Sequence, residues 1–378
     1  NNSGTYSFGN LPFAGSYTVE PNRNDDPLNG VSTKDLVRIQ RHLLGLDNIT
    51  DPYQMIAADV NNSANISAKD LVELRKLILG LYDSFEEIEA SQRSWRFVVK
   101  NGGIADPQNP WDFEEVENYE PLSTNRPNTD FVGVKIGDVD GNASGTLSAG
   151  TQSRTNGTLS LVAEDVRYTA GDEVRVAITA ENFDNIVGYQ YTLHFDAASL
   201  RYADIESGAV EVSEANFGLN RLSEGTITTS WNAQEGVSAD EVLYTVVFRA
   251  TAAGQLSGSL RVSGAVTTAE AYNVGGETKG VSLEVRNTDI SSTYALYQNN
   301  PNPFAGQTVI SFTLPQAMEA NVTIYDVTGK VLKLIEVDGV KGYNEVVVRS
   351  GELSASGVLY YQLDTEDFTA TKRMVVIK

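Results

Sequence analysis

The spacing of apolar residues changes twice along this chain. Between Asn24 and Leu81 it is helical: Leu36, Ile39, Leu43 and Leu44 fall at i, i+3, i+7 and i+8, and Leu71, Leu74, Ile78 and Leu79 repeat the pattern 35 positions later. Gly45 and Gly80 close the two runs, as glycines past helix ends do. The stretches STKDLVRIQRHLLGL, from Ser32, and SAKDLVELRKLILGL, from Ser67, share eight of fifteen residues. This predicts a duplicated helix with one apolar stripe per copy, packed stripe against stripe. From Thr158 to Val285 the period is two. Val174, Val176 and Ile178 mark one strand, Tyr189, Tyr191, Leu193 and Phe195 another, and Val242, Tyr244, Val246 and Phe248 a third. From Thr293 to Lys378 a second period-two region holds Ile310, Phe312 and Leu314, a hairpin turn at Thr328-Gly329 and a final strand MVVIK.

Two less regular regions flank the helices. GTYSFGNLPFAGSYTVEP predicts two short strands around a turn at Leu11–Gly15, a pair that is marginal alone. Residues 82–137 hold a strand around Trp95, a Pro/Asn-rich loop and a strand leading into the acidic run GDVDGN. A linker follows from Gly150. The expected fold class is a mainly β multidomain chain: an N-terminal β-hairpin (1–22), a small helical unit with an insertion (23–149) and two β-sandwiches (157–287 and 293–378).

Composition narrows the partners. The formal charge is −22 over 378 residues, which disfavours nucleic acid and anionic membranes and suits hard cations. The chain has no cysteine, which excludes disulfides and thiolate chemistry. No apolar run approaches a membrane span. The chain opens on no signal peptide, as expected of mature or truncated material.

The candidate chemistry lies in front of the helices. A twelve-residue calcium loop places oxygen ligands at positions 1, 3, 5, 7, 9 and 12, position 7 through its carbonyl. The second copy fits with Asp59, Asn61, Ser63, Asn65, Ser67 and Asp70, and Ile66 at position 8 ties two such loops together. The first copy is looser: Asn24, Asp26, Leu28 and Gly30 through their backbone, Ser32 and Asp35, with Val31 at position 8. A third run supplies Asp138, Asp140 and Asn142 at spacing 1-3-5, but its position 12 is Ala149 and no helix pattern follows, as in a truncated site. The expectation is two calcium ions with a third candidate site. The alternative reading of each loop is a solvated turn, for which Asp, Asn, Ser and Gly are equally suited.

The duplicated unit resembles a type I dockerin at the start of each helix and at its Leu-Gly end. The resemblance implies two calcium ions and docking onto a cohesin. Leu28 and the insertion after Leu81 depart from that pattern. Helix positions that set partner choice in the family are Thr33, Lys34, Ala68 and Lys69 here. The run from Val162, VAEDVRYTAGDEVRVAITAENFDNIVGYQYTLHFDAASL, resembles the opening of a cohesin, a nine-stranded jelly roll. YQNNPNPFAGQTVISFTLP, YDVTGKVLKLI, SGVLYYQL and ATKRMVVIK resemble a type A C-terminal signal domain of type IX secretion. That resemblance implies Bacteroidota origin, export through the type IX translocon and a cell-surface or extracellular location. The N-terminal strands resemble the last hairpin of a transthyretin-like sandwich.

Nothing in the residues places an enzyme. His42 and His194 have no catalytic partner at a telling spacing, no carboxylate pair is marked, and Trp95, Trp111 and Trp231 read as core. The expected function is a calcium-stabilised scaffold or adhesion module with cohesin- or dockerin-type protein partners. It docks within one chain, or between copies as a head-to-tail homopolymer, or lends an assembly strand from residues 1–22 between subunits. The alternatives are the tail of a larger secreted enzyme or adhesin, and a carbohydrate-binding module.

Overall fold

The computed structural model describes residues 4–145, 155–286 and 294–377. The linker from Gly150 and Ala149 fall largely or wholly outside that set.

The duplicated pattern forms helices α1 (Thr33–Leu43) and α3 (Ala68–Ile78). Each begins with a capping box, Ser32 with Asp35 and Ser67 with Asp70, so the carboxylate that enters the helix also fixes its first turn. Between them lies α2 (Pro52–Ala58), which the periodicity did not predict. Its signal is chemical: Asp51 caps the Tyr53 and Gln54 amides at 2.8 and 3.1 Å, and Pro52 occupies the first turn. Leu36, Ile39, Leu74 and Ile78 are buried as expected, whereas Leu43 and Leu44 are exposed.

The insertion is part of the same core. The strands Trp95–Val99 and Phe131–Lys135 pair antiparallel, and Val98, Val134, Ile136 and Phe85 pack with Leu36, Ile39, Leu74 and Ile78. The N-terminal hairpin does not form. Tyr17–Val19 pairs instead with Glu117–Tyr119, and Ala14 and Gly15 continue the pairing to Leu122. No strand forms over residues 4–13, so the first arm has nothing to offer the second, and Tyr6, Phe8 and Phe13 are exposed.

Ten strands between Thr158 and Arg286 form one hydrogen-bonded network. In pairing order Phe183–Phe195 and Tyr244–Ala250 are five strands apart, about 24 Å along a flat sheet. The Phe195 and Phe248 rings nevertheless lie 5.1 Å apart, so the network folds over into two layers. The expected period-two residues Val174, Val176, Ile178, Tyr189, Tyr191, Leu193 and Phe248 fill this core. Residues 294–377 form a second, smaller sandwich. A three-stranded and a four-stranded sheet share a core of Ile310, Phe312, Leu314, Val322, Leu359 and Met374.

Candidate metal centres and the docked sheet

The Asp59–Asp70 loop folds as one continuous turn around two carboxylates. Asp59 accepts hydrogen bonds from the Ser63 and Ala64 amides, both at 2.8 Å. Asp70 accepts from the Asn61 amide at 3.2 Å and from the Ser67 amide and hydroxyl, both at 2.9 Å. Asn62 and Ala64 take left-handed backbone to make the turn. Gln92 is buried and donates to the Asp59 and Val60 carbonyls, bracing the loop from the insertion.

The same bond set recurs around Asp35, but with a different chain segment. Asp138 accepts from the Asn142 amide at 3.0 Å and the Ala143 amide at 2.9 Å, as Asp59 does from residues four and five positions on. Asp35 accepts from the Asp140 amide at 3.1 Å, and from Ser32 at 2.9 Å through the amide and 3.2 Å through the hydroxyl, as Asp70 does from Asn61 and Ser67. Asp138-Val139-Asp140-Gly141-Asn142 therefore stands where the first five positions of the loop before α1 would be. One carboxylate oxygen from each of Asp35, Asp138 and Asp140 lies within 4.8 Å of the others.

Asn24 and Asp26, expected at those first positions, are used otherwise. Asn24 accepts from the Ser94 amide and donates to Glu86. Asp26 sits in left-handed backbone, and its carbonyl and that of Leu28 receive turn bonds from Asn29 and Val31. Gly30 lies directly against Ala143, where a Cβ would meet it at 2.7 Å, and Asn29 exchanges two hydrogen bonds with the Ser144 backbone at 2.9 and 3.0 Å. The two expected sites thus merge into one: the Asp138 run supplies the front of the loop and Ser32 and Asp35 the back.

Both loops fit a hard cation. Among the described residues three buried side-chain oxygens have no hydrogen-bond partner, and two of them are Asn61 Oδ1 and Asp140 Oδ1. These occupy the same place, position 3, in the two loops. Burial raises the Asp35 pKa well above the ordinary carboxylate range, with Asp140 and Asp138 adding to the shift. It pushes Asp138 to about 6 and raises Asp59. An oxygen-seeking cation would relieve this charge crowding. Lys34 forms an ion pair into the cluster with Asp140, at 3.0 Å.

One side of the helix pair is covered by the sandwich. On the Phe183–Phe195 and Thr226–Ala239 strands, Gln190 pairs in register with Ser230, Thr192 with Thr228 and Gly188 with Asn232. These residues alternate with the core-facing Tyr189, Tyr191 and Trp231, so they point away from the sandwich core. Gln190, Thr192, Thr228 and Ser230 are buried all the same: Gln190, Thr228 and Ser230 meet α1 and the end of α3, and Thr192 is covered by Val266 and Thr267 of the sandwich. The Thr33 amide donates to Gln190 Oε1 at 2.6 Å, and the Thr33 and Ser230 hydroxyls are 2.7 Å apart. Asn232 donates to Gln40 at 2.7 Å and accepts from Arg75. Val37 packs with Val187 and Tyr272. The last carbonyls of α3, orphaned by the end of the helix, are satisfied across the contact: Ile78 by Thr267 at 2.7 Å, Leu79 by Thr228 at 2.6 Å and Gly80 by Asn220 at 3.0 Å. Gly188 permits a close approach, since a Cβ there would sit 3.0 Å from Thr33 Cγ2 and 3.2 Å from the Trp231 carbonyl.

The remaining candidates have structural roles. His42 accepts from the Ile49 amide, His194 bonds Ser263, and Trp95 and Trp231 are core residues.

Residues 158–286 match the family model described as Cohesin domain, and residues 299–378 match that described as Secretion system C-terminal sorting domain. The chain therefore carries a cohesin domain, a protein–protein interaction module, followed by a sorting domain. Both domains are non-catalytic, and the second directs export by type IX secretion to the cell surface or extracellular space. Among solved structures the chain is similar to a solution structure of CaCohA2 from Clostridium acetobutylicum (17% identity, TM-score 0.27, covering 35% of this chain and 94% of that one). It is also similar to a chain of the Coh-OlpA-Doc918 cohesin–dockerin complex from Clostridium thermocellum (15%, 0.27, 34% and 99%). A third is a chain of the complex of the sixth cohesin of Acetivibrio cellulolyticus scaffoldin B with the Cel5 dockerin (19%, 0.26, 34% and 99%). No curated protein matches. No helix among the described residues is long and apolar enough to cross a membrane.

Proposed function

We propose that this chain is a secreted, non-enzymatic, calcium-stabilised scaffold segment in which the duplicated helix unit acts as an internal dockerin for its own cohesin sandwich. The observation that carries this reading is the row Gln190, Thr228 and Ser230. It is a polar sheet face pointing away from its own core, yet buried and hydrogen-bonded to α1 and to the end of α3, with the half-buried Asn232 bonded to Gln40 beside it. Docking of this kind joins two small units into one longer rigid body, a fitting shape for a surface spacer that holds an attached domain away from the cell. The tether also favours docking within the chain over docking between chains, since it supplies an effective concentration in the millimolar range. A head-to-tail homopolymer needs the same face to be vacated first.

The test is Val37→Asp in the full chain, read by hydrogen exchange in calcium. Release of docking exposes amides of α1 and weakens protection at the Thr226–Asn232 edge, while the residue 294–377 sandwich stays protected. Unchanged exchange on both sides of the contact would overturn the reading. Light scattering on the wild type decides the assembly: a monomer from low to high concentration supports docking within the chain, and growth with concentration supports the polymer.

A further inference from the structure

We infer that Asp35, Asp138 and Asp140, with Ser32 and Asn142 beside them, form a single divalent-cation site split across the chain, and that the cation acts as a clasp holding residues 138–145 against the start of α1. The inference rests on the calcium reading above but not on the docking. Asp35 receives the Val139 amide at 2.7 Å over a separation of 104 residues, so the two halves meet only in the folded unit. Asp140 carries the second observation that a cluster of acids needs. Its side chain is 6% exposed, and its Oδ1 has no hydrogen-bond partner. The neighbouring contacts run along the same seam: Asn29 with Ser144 in both directions, Gly30 against Ala143, Arg23 with the Gly145 carbonyl and Lys34 with Asp140.

The ligand class is a hard divalent cation of calcium type, because every donor is oxygen and three are carboxylates. A clasp over so long a loop opposes the chain entropy of opening it, whereas a cation in the Asp59–Asp70 loop orders only its own turn. The split site also ends on Ser32, next to Thr33, whose amide and hydroxyl meet the sandwich.

The experiment is calorimetric titration of the chelator-stripped full chain with calcium chloride alone, with hydrogen exchange at matched free calcium. Wild type should bind two ions. Residues 23–35 and 138–145 should gain protection at one shared calcium midpoint. Asp140→Asn should remove one binding event and release both segments together. Asp59→Asn should remove the other event and leave 138–145 protected, and Asp26→Asn should remove neither. Separate midpoints for the two segments in wild type, or loss of a binding event in Asp26→Asn but not in Asp140→Asn, would overturn the clasp. The wild-type midpoints decide the matter even where a variant fails to fold. Loss of docking in Val37→Asp leaves both calcium events intact, so failure of one proposal does not imitate failure of the other.

Discussion

The two acidic loops share nearly the same hydrogen-bond set and differ in how the chain supplies it. Around Asp59 and Asp70 the donors and acceptors lie within twelve consecutive residues. Around Asp35 and Asp138 they come from two segments separated by the whole insertion. The split loop also carries an aspartate where the continuous one carries a neutral amide, Asp140 against Asn61. Local sequence builds one loop, and tertiary folding builds the more highly charged one. A duplicated helix thus does not imply a duplicated loop.

The largest expected effect is that of the cation itself. Each occupied loop adds about 2.7 kcal/mol at a hundredfold excess of calcium over its Kd. Chelation should therefore lower the melting temperature of the helical unit in calorimetry, and equal melting with and without calcium would remove the cation from both loops. Next is a contrast between the helices. Val37 is 6% exposed at the docking face and its counterpart Val72 is 52% exposed. Val37→Asp should cost on the order of 3 kcal/mol, since it buries an unpaired charge, and Val72→Asp less than about 0.5 kcal/mol, both by denaturant unfolding in calcium.

Acidity separates the loops in cation-free protein. Burial raises the folded-state pKa of Asp138 to about 6, above its unfolded value, so the folded state holds the extra proton between those limits. Its contribution favours the folded state at low pH and is lost as pH rises from about 4 through about 6. Asp35 and Asp59 are shifted in the same direction. Chelated protein should therefore lose stability across that rise, and saturating calcium should abolish or reverse the slope. Asp138→Asn should flatten the slope more than Asp59→Asn. The smallest effect is at the start of the helices. Thr33→Ala copies Ala68 and should cost about 1 kcal/mol by leaving the Ser230 hydroxyl without its partner, while Ala68→Thr, at an exposed site, should change stability by less than about 0.5 kcal/mol. Equal costs would show that the two helix starts are interchangeable.

Much of this was readable from spacing. The helical stripes of Leu36, Ile39, Leu74 and Ile78, the alternating strands of both sandwiches and the Thr328-Gly329 turn all lie where periodicity puts them. These features are local, and burial of one face is enough to fix them. Helix α2 was readable too, through Asp51-Pro52, but it is too short for a period to show. The N-terminal pair of strands was misread because a strand's partner is not a local property: Tyr17–Val19 finds Glu117–Tyr119 about a hundred residues away.

The sequence by itself determined the duplicated helices, the continuous loop at Asp59–Asp70, the sandwich class of the two β regions and the secretion signal at the end, because each is carried by neighbours in the chain. Only the tertiary structure decided that Asp138 and Asp140 belong with Asp35 rather than forming a broken third loop. It alone turned Gln190, Thr228 and Ser230, which alternation assigns to solvent, into a buried face packed against the helical unit. Both decisions depend on which surfaces meet after folding, and a pattern of residues along one strand or one helix holds no information about what will cover it.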